Sequence, residues 1–211
     1  MSNYSLTLQN VTKIFGRRLV FKDISFEMES GNVYGISGRN GSGKSTLAKI
    51  IAGIISPSGG KIIHQLSEKK IEPEQLHNYL GFVSPYLFLY DEFTADENLY
   101  HFAKIRNIKS DVQRMQNLYE LFNLSDRKND LLKGYSSGMK QRMKFIFALQ
   151  HSPRIIILDE PTSNLDNAGK EAVYKLVREE TKENLVVIAS NEEGDLALCN
   201  KIIDVEQFKV L

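Results

Sequence analysis

Apolar and polar residues alternate loosely from Leu6 to Ile14 and again from Leu19 to Met28, the two-residue period of half-buried strands. Phe15-Gly16-Arg17-Arg18 separates the two runs, and so short a connection predicts an antiparallel hairpin. Asn32-Val33-Tyr34-Gly35-Ile36-Ser37 is mostly apolar and reads as a buried strand, whereas Leu47 to Ile55 is apolar at most positions and reads as a buried helix stopped by Pro57. Gly59 to His64 looks like another hairpin arm, and Tyr79 to Ser84 is a short strand ended by Pro85. The period then changes. Asp96–Ile105, Val112–Phe122 and Ser137–Gln150 read as helices, the first with Thr94 and Glu97 at capping-box spacing. Strand runs return at Arg154–Leu158, Leu185–Ala189 and Lys201–Val205, with a helix near Ala168–Thr181. Strand–helix–strand at this spacing argues for a parallel sheet, hence an α/β fold in which residues 85 to 150 form a helical insertion.

Composition narrows the classes without choosing among them. The chain has 211 residues, enough for one α/β domain with a substantial core. Its net charge is +1, so no basic or acidic tail points to nucleic acid, and no nucleic-acid partner is expected. Cys199 is the one cysteine; it cannot form an internal disulfide, and no cluster suggests zinc. The N-terminal residues lack the basic and apolar regions of a secretion signal, and no apolar run approaches the ~18–20 residues that span a bilayer. His64 and His77 lie in polar sequence with no partner at ligand spacing and are expected to be solvated. His101, mid-helix, is expected at the surface, and His151 at a helix end before Pro153.

The informative stretch is Gly38-Arg39-Asn40-Gly41-Ser42-Gly43-Lys44-Ser45-Thr46, which fits G-x-x-x-x-G-K-[ST] between a strand and a helix. Glycines let backbone N–H groups turn inward around phosphate oxygens, and the helix N-terminus adds partial positive charge. Lys44 is then expected to reach the β- and γ-phosphates and Ser45 to offer its hydroxyl to Mg²⁺. Such a loop implies a nucleoside-triphosphate site. Ile155-Ile156-Ile157-Leu158-Asp159-Glu160 has the apolar run of a fully buried parallel strand and ends in two carboxylates, where ligands of such sheets bind. Asp159 is the expected acidic partner of Ser45 at Mg²⁺, and Glu160 the group that orients or deprotonates the attacking water. Ser136 and Ser137 can cap the helix that precedes this strand, whose free N–H groups make a second anion site.

Tyr135-Ser136-Ser137-Gly138-Met139 resembles the Leu-Ser-Gly-Gly-Gln signature of the ABC-type ATPases, with Tyr135, Ser137 and Met139 as departures. Ser163-Asn164-Leu165-Asp166 is similar to that family's D-loop, and the likeness runs in order over essentially the whole chain. The resemblance implies a P-loop NTPase core (residues 1–84 and 151–211) with a parallel sheet, an antiparallel β subdomain and the inserted helical subdomain. It also implies a head-to-tail dimer, homomeric or with a related subunit, in which ATP lies between the phosphate loop of one subunit and Ser136–Gly138 of the other. A separate transmembrane permease would then hold the protein at the cytoplasmic face of the membrane. Phe15 falls where the family stacks an aromatic ring on adenine.

Two positions depart from the family pattern. Counting back from Glu97-Asn98-Leu99, Pro85 stands where a glutamine reaches toward Mg²⁺ and water, with Ser84 as a possible substitute. Asn191 stands where a histidine contacts the γ-phosphate; asparagine can donate a hydrogen bond but cannot become cationic. The resemblance therefore implies MgATP binding with slow hydrolysis that drives a transporter of exporter type. A soluble ATPase acting in the assembly of another complex and a weakly hydrolysing nucleotide sensor are the competing readings.

Overall fold

In the computed structural model, which describes residues 3–108 and 111–209, two sheets share the chain. Strands β1 (Tyr4–Phe15) and β2 (Arg18–Glu29) form the expected antiparallel hairpin. After β3 (Val33–Ser37), helix α1 (Lys44–Ile51) stops four residues short of Ile55, because Gly53 turns the chain at φ 70°. Strands β4 (Gly59–Leu66) and β5 (Lys69–Ile71) complete a four-stranded antiparallel sheet ordered β2-β1-β4-β5.

Strand β6 (Leu80–Val83) precedes three helices, α2 (Ala95–Ile105), α3 (Val112–Leu121) and α4 (Ser137–Leu149). Helix α2 carries the expected capping box: Glu97 N–H donates to Thr94 Oγ1, and the Glu97 carboxylate accepts from Thr94 N–H. The chain returns to the sheet as β7 (Ile155–Asp159), followed by α5 (Asn167–Glu180), β8 (Leu185–Ala189), the single turn α6 (Glu193–Leu196) and β9 (Lys201–Asp204). All pairs in this second sheet are parallel, in the order β6-β7-β8-β3-β9. The fold is thus a P-loop NTPase core with an antiparallel β subdomain and inserted helices.

The parallel sheet separates two cores, and strand pleating explains how one strand serves both. Ile155 and Ile157 of β7 pack with α1 and the antiparallel sheet, while Ile156 and Leu158 pack against α3, α4 and α5. All four are fully buried. Each removes an aliphatic side chain from water at a gain of about 1.5–3 kcal/mol, which is why no polar position interrupts the run. Tyr135, the aromatic departure in the signature stretch, fills the second core, and its hydroxyl donates to the Arg127 carbonyl at 2.7 Å.

The solvated placement expected for His64 is overturned. His64 faces the first core at 7% exposure, 2.7 Å from the Tyr4 hydroxyl, and burial lowers its pKa to about 4. Strand alternation puts His64 on the inward face with Ile62 and Leu66, both of which pack on the first core, so the polar residues nearby in sequence do not report its surroundings. His77 and His101 are exposed as expected. His151 is half-buried, with Nε2 3.1 Å from the Leu80 carbonyl, and its pKa is likewise lowered to about 4 by burial.

Candidate nucleotide site

Four parallel strands end on one side of the sheet, and each delivers a loop to the same cleft, of about 590 Å³. The loop after β3 supplies Asn40, Gly41, Gly43, Lys44, Ser45 and Thr46; β7 supplies Asp159 and Glu160; β6 leads to Pro85 and Tyr86; β8 leads to Asn191 and Glu192. The phosphate loop needs its glycines for two separate reasons. Gly38 at φ 139° has Ser42 Oγ 2.6 Å from where a Cβ would stand, and Gly43 at φ 117° has Val20 at the same 2.6 Å. Either substitution both strains the backbone and collides with a neighbour.

The reactive groups lie on the floor of the cleft. Ser45 Oγ donates to Asp159 Oδ1 at 2.8 Å, joining residues far apart in the chain. Asp159 is fully buried, and its Oδ2 has no hydrogen-bond partner. Burial raises its pKa, opposed by the Ser45 hydroxyl, Lys49 and Lys44. Lys44, itself buried, donates to the Gly38 carbonyl at 2.9 Å and stands 3.4 Å from Glu160 Oε1. Glu160 is held in the left-handed region at φ 49°, with its N–H on the Ala189 carbonyl at 2.8 Å. A non-glycine residue there is strained, and such strain concentrates where a side chain must be aimed. Burial raises the Glu160 pKa, opposed first by Lys44. Ser42 is buried with its Oγ unpartnered.

Ser163 of the D-loop-like stretch also lines this cleft, whereas Phe15, Ser136, Ser137, Gly138 and Asp166 do not. Phe15 is half-exposed with Lys13 Nζ 4.7 Å over its ring; its hairpin partner Arg18 lines the cleft and Phe15 does not. Ser136 caps α4 by accepting Met139 N–H at 3.2 Å, and Ser137 lines a separate cavity of about 330 Å³ with Pro85, Lys140 and Asn164. Gly138 packs against the Asn164 carbonyl, 3.4 Å from where its Cβ would be. Asp166 caps α5 through Gly169 N–H at 2.8 Å. Ser84 does not turn into the cleft: it is buried, and its Oγ accepts Tyr86 N–H at 3.1 Å.

Sequence reasoning passed over Tyr86, Arg18, Val20 and Glu192 as lining residues, and Lys49, whose Nζ sits 4.8 Å over the Tyr86 ring. Lys49 could have been found, because it follows Ser45 by one helical turn and so shares its face. Tyr86 could not, since its direction depends on the Ser84 turn.

The family model for ABC transporters matches residues 21–163. The chain belongs to the ABC transporter family. It is 34% identical over 207 residues to a lipoprotein-releasing system ATP-binding protein from Treponema denticola, covering 91% of each chain. An uncharacterised ABC transporter ATP-binding protein from Bacillus subtilis is 30% identical over 210 residues, covering 98% of this chain and 68% of the relative. Among solved structures, an ATP-binding cassette in a dimeric, post-hydrolysis state bound to ADP and Pi superposes with a TM-score of 0.81 at 25% identity, over 94% of this chain and 93% of the other. This ABC chain is thus an ATP-binding subunit of the ATPase type, a class that dimerises and works with transmembrane permeases. No helix among the described residues is long and apolar enough to cross a membrane.

Proposed function

We propose that this subunit binds MgATP in a head-to-tail dimer, hydrolyses it slowly and drives a transporter that moves its substrate outward. The observation that carries the reading is the floor of the cleft, where Lys44 and Ser45 from the loop after β3 meet Asp159 and Glu160 at the end of β7. The unpartnered Asp159 Oδ2 beside the Ser45 hydroxyl is an oxygen pair suited to a hard cation, and Mg²⁺ held there would neutralise charge developing on the phosphates. The backbone N–H groups of Gly38–Thr46 and the Lys44 ammonium bind the phosphate chain, and Phe15 stacks on the base from the hairpin. Glu160, with its pKa raised toward the working range by burial, accepts the proton of the attacking water. Asn191 positions the γ-phosphate by a single hydrogen bond.

Ser136, Ser137, Gly138 and Asp166 lie apart from this floor, as a contribution to the partner subunit's ATP requires. The inserted stretch 85–150 is the part offered to a permease at the cytoplasmic face of the membrane. Tyr86, Phe88 and Tyr90 stand exposed together at its start, an apolar patch of the kind that marks a protein contact. The lipoprotein-releasing relative supports the outward direction. Slow turnover follows from Pro85, which has no side-chain oxygen to reach Mg²⁺ and the water, and from Asn191, which can donate one hydrogen bond but cannot become cationic. Steady-state ATP hydrolysis with and without Mg²⁺ tests the reading: loss of turnover in Glu160→Gln with ATP binding kept is expected, and unchanged turnover would sink the role of Glu160. Failure to co-purify with any polytopic membrane protein would move the subunit to the soluble assembly class.

A further inference from the structure

One wall of the cleft is held by a carboxylate that does not line it. Asp195, on the turn α6, is 1% exposed. Its Oδ2 accepts the Ser190 hydroxyl at 2.8 Å and the Thr162 hydroxyl at 3.1 Å. Thr162 follows β7 and Ser190 follows β8, so one buried oxygen ties together the loops that carry Glu160 and Asn191. Ser190 Oγ also accepts Glu192 N–H at 3.1 Å and lies 3.5 Å from Glu160 Oε2.

A serine hydroxyl has one proton to give. Directed to Asp195, it is withheld from Glu160. The other oxygen of Glu160 is already faced by Lys44 Nζ at 3.4 Å, which leaves Oε2 as the oxygen open to a water. We infer that Asp195 is a positioning residue of the hydrolytic site: by drawing the Ser190 proton onto itself, it keeps Glu160 Oε2 free to accept a proton from the attacking water. Without Asp195 the Ser190 hydroxyl swings to Glu160 Oε2, where a hydrogen bond to the charged carboxylate makes it a weaker base and blocks the water's place. Thr162 holds the β7 loop in the same grip, so the aim of Glu160 and the direction of the Ser190 hydroxyl depend on one group. The inference rests on Glu160 acting as the base.

The test is ATP turnover by the full chain carrying Asp195→Ala, Ser190→Ala, both together, or Asp195→Asn. Asp195→Ala should lower kcat about tenfold with KM for ATP little changed, the mark of a group that acts in the chemical step. Adding Ser190→Ala removes the misdirected hydroxyl and should recover most of that loss. Asp195→Asn keeps an acceptor oxygen and should lose far less than Asp195→Ala. A purely structural Asp195 gives the opposite pattern, with the double variant no faster than Asp195→Ala, and that result overturns the inference. If Asp195→Ala does not fold by its thermal midpoint, Asp195→Leu fills the space and is read in the same pairing with Ser190→Ala. Inactive Glu160→Gln with no rescue by Ser190→Ala overturns the Asp195 role alone. Unchanged turnover in Glu160→Gln overturns the base assignment and this inference with it.

Discussion

The floor of the nucleotide cleft and its far wall are built on different terms. On the floor, the hydrogen bonds are short and largely shielded: Ser45 on Asp159 at 2.8 Å and Lys44 on the Gly38 carbonyl at 2.9 Å, with Lys44 and Ser45 at the start of α1 and Asp159 at the end of β7. The far wall is made of Pro85, Tyr86, Asn191 and Glu192, all exposed and all on loops. The floor thus carries the phosphate-loop groups and both carboxylates at the ends of regular elements, while Pro85 and Asn191 stand on segments whose shape is set by second-hand contacts. Those contacts are Ser84 on Tyr86 N–H and Ser190 on Glu192 N–H. On the proposed roles, ATP affinity and turnover should respond to different substitutions, because the floor and the far wall have different supports.

The largest expected effect breaks the floor. Lys44→Ala should abolish ATP binding, because the proposed phosphate site then loses its buried cation, and turnover should fall with it by at least the ~10²–10³ that one charge-stabilising donor contributes; equilibrium titration with ATP checks it. Glu160→Gln should reduce kcat about a hundredfold or more while leaving ATP affinity in place, and parallel loss of affinity would show that Glu160 serves binding as well as the base role. Next comes the response of folding to acid, which sharpens the contrast because none of the lining residues is a histidine. Burial lowers His64 and His151 from 6.5 to about 4, so within that window the unfolded chain binds protons that the folded chain refuses. Their contribution is full above 6.5, falls as pH drops through the window and is gone below about 4, up to about 3 kcal/mol each. The raised pKa values of Asp159, Glu160 and Asp195 act in the opposite sense, their burial penalty being relieved on acidification. Thermal melts of His64→Gln beside the parent isolate the histidine: the variant should lose less stability between pH 6.5 and 4. Asn191→His should raise kcat a few-fold, about 1 kcal/mol at the barrier, and bring a new pH dependence near the ordinary histidine range. The smallest effect concerns the inserted helices: Thr94→Ala removes the α2 cap and should lower stability by about 1 kcal/mol without altering turnover.

Much of the fold could be read from periodicity, since the strands of the parallel sheet are short apolar runs with no other way to be buried. Leu185–Ala189 was readable to the residue, and the Thr94 cap could be read from two side chains three apart. The far wall could not. Asp195 lies on a four-residue helix with no periodic signal, and its partners Thr162 and Ser190 come from two other loops. His64 was misread for a related reason, because its environment is set by Tyr4, sixty residues away, rather than by its neighbours. Local pattern reports the backbone; it says little about a polar side chain whose partners are brought by topology.

Strand β7 has consequences for how this sequence can change. Its odd-numbered residues fill one interior and its even-numbered residues the other, and it ends directly in Asp159 and Glu160. A one-residue insertion or deletion there would exchange the two interiors' side chains and shift both carboxylates along the cleft. The position of these acids along the cleft is therefore tied to the pairing register of β7. A length change is instead absorbed at least cost in the loops beyond the strand ends, which carry no register.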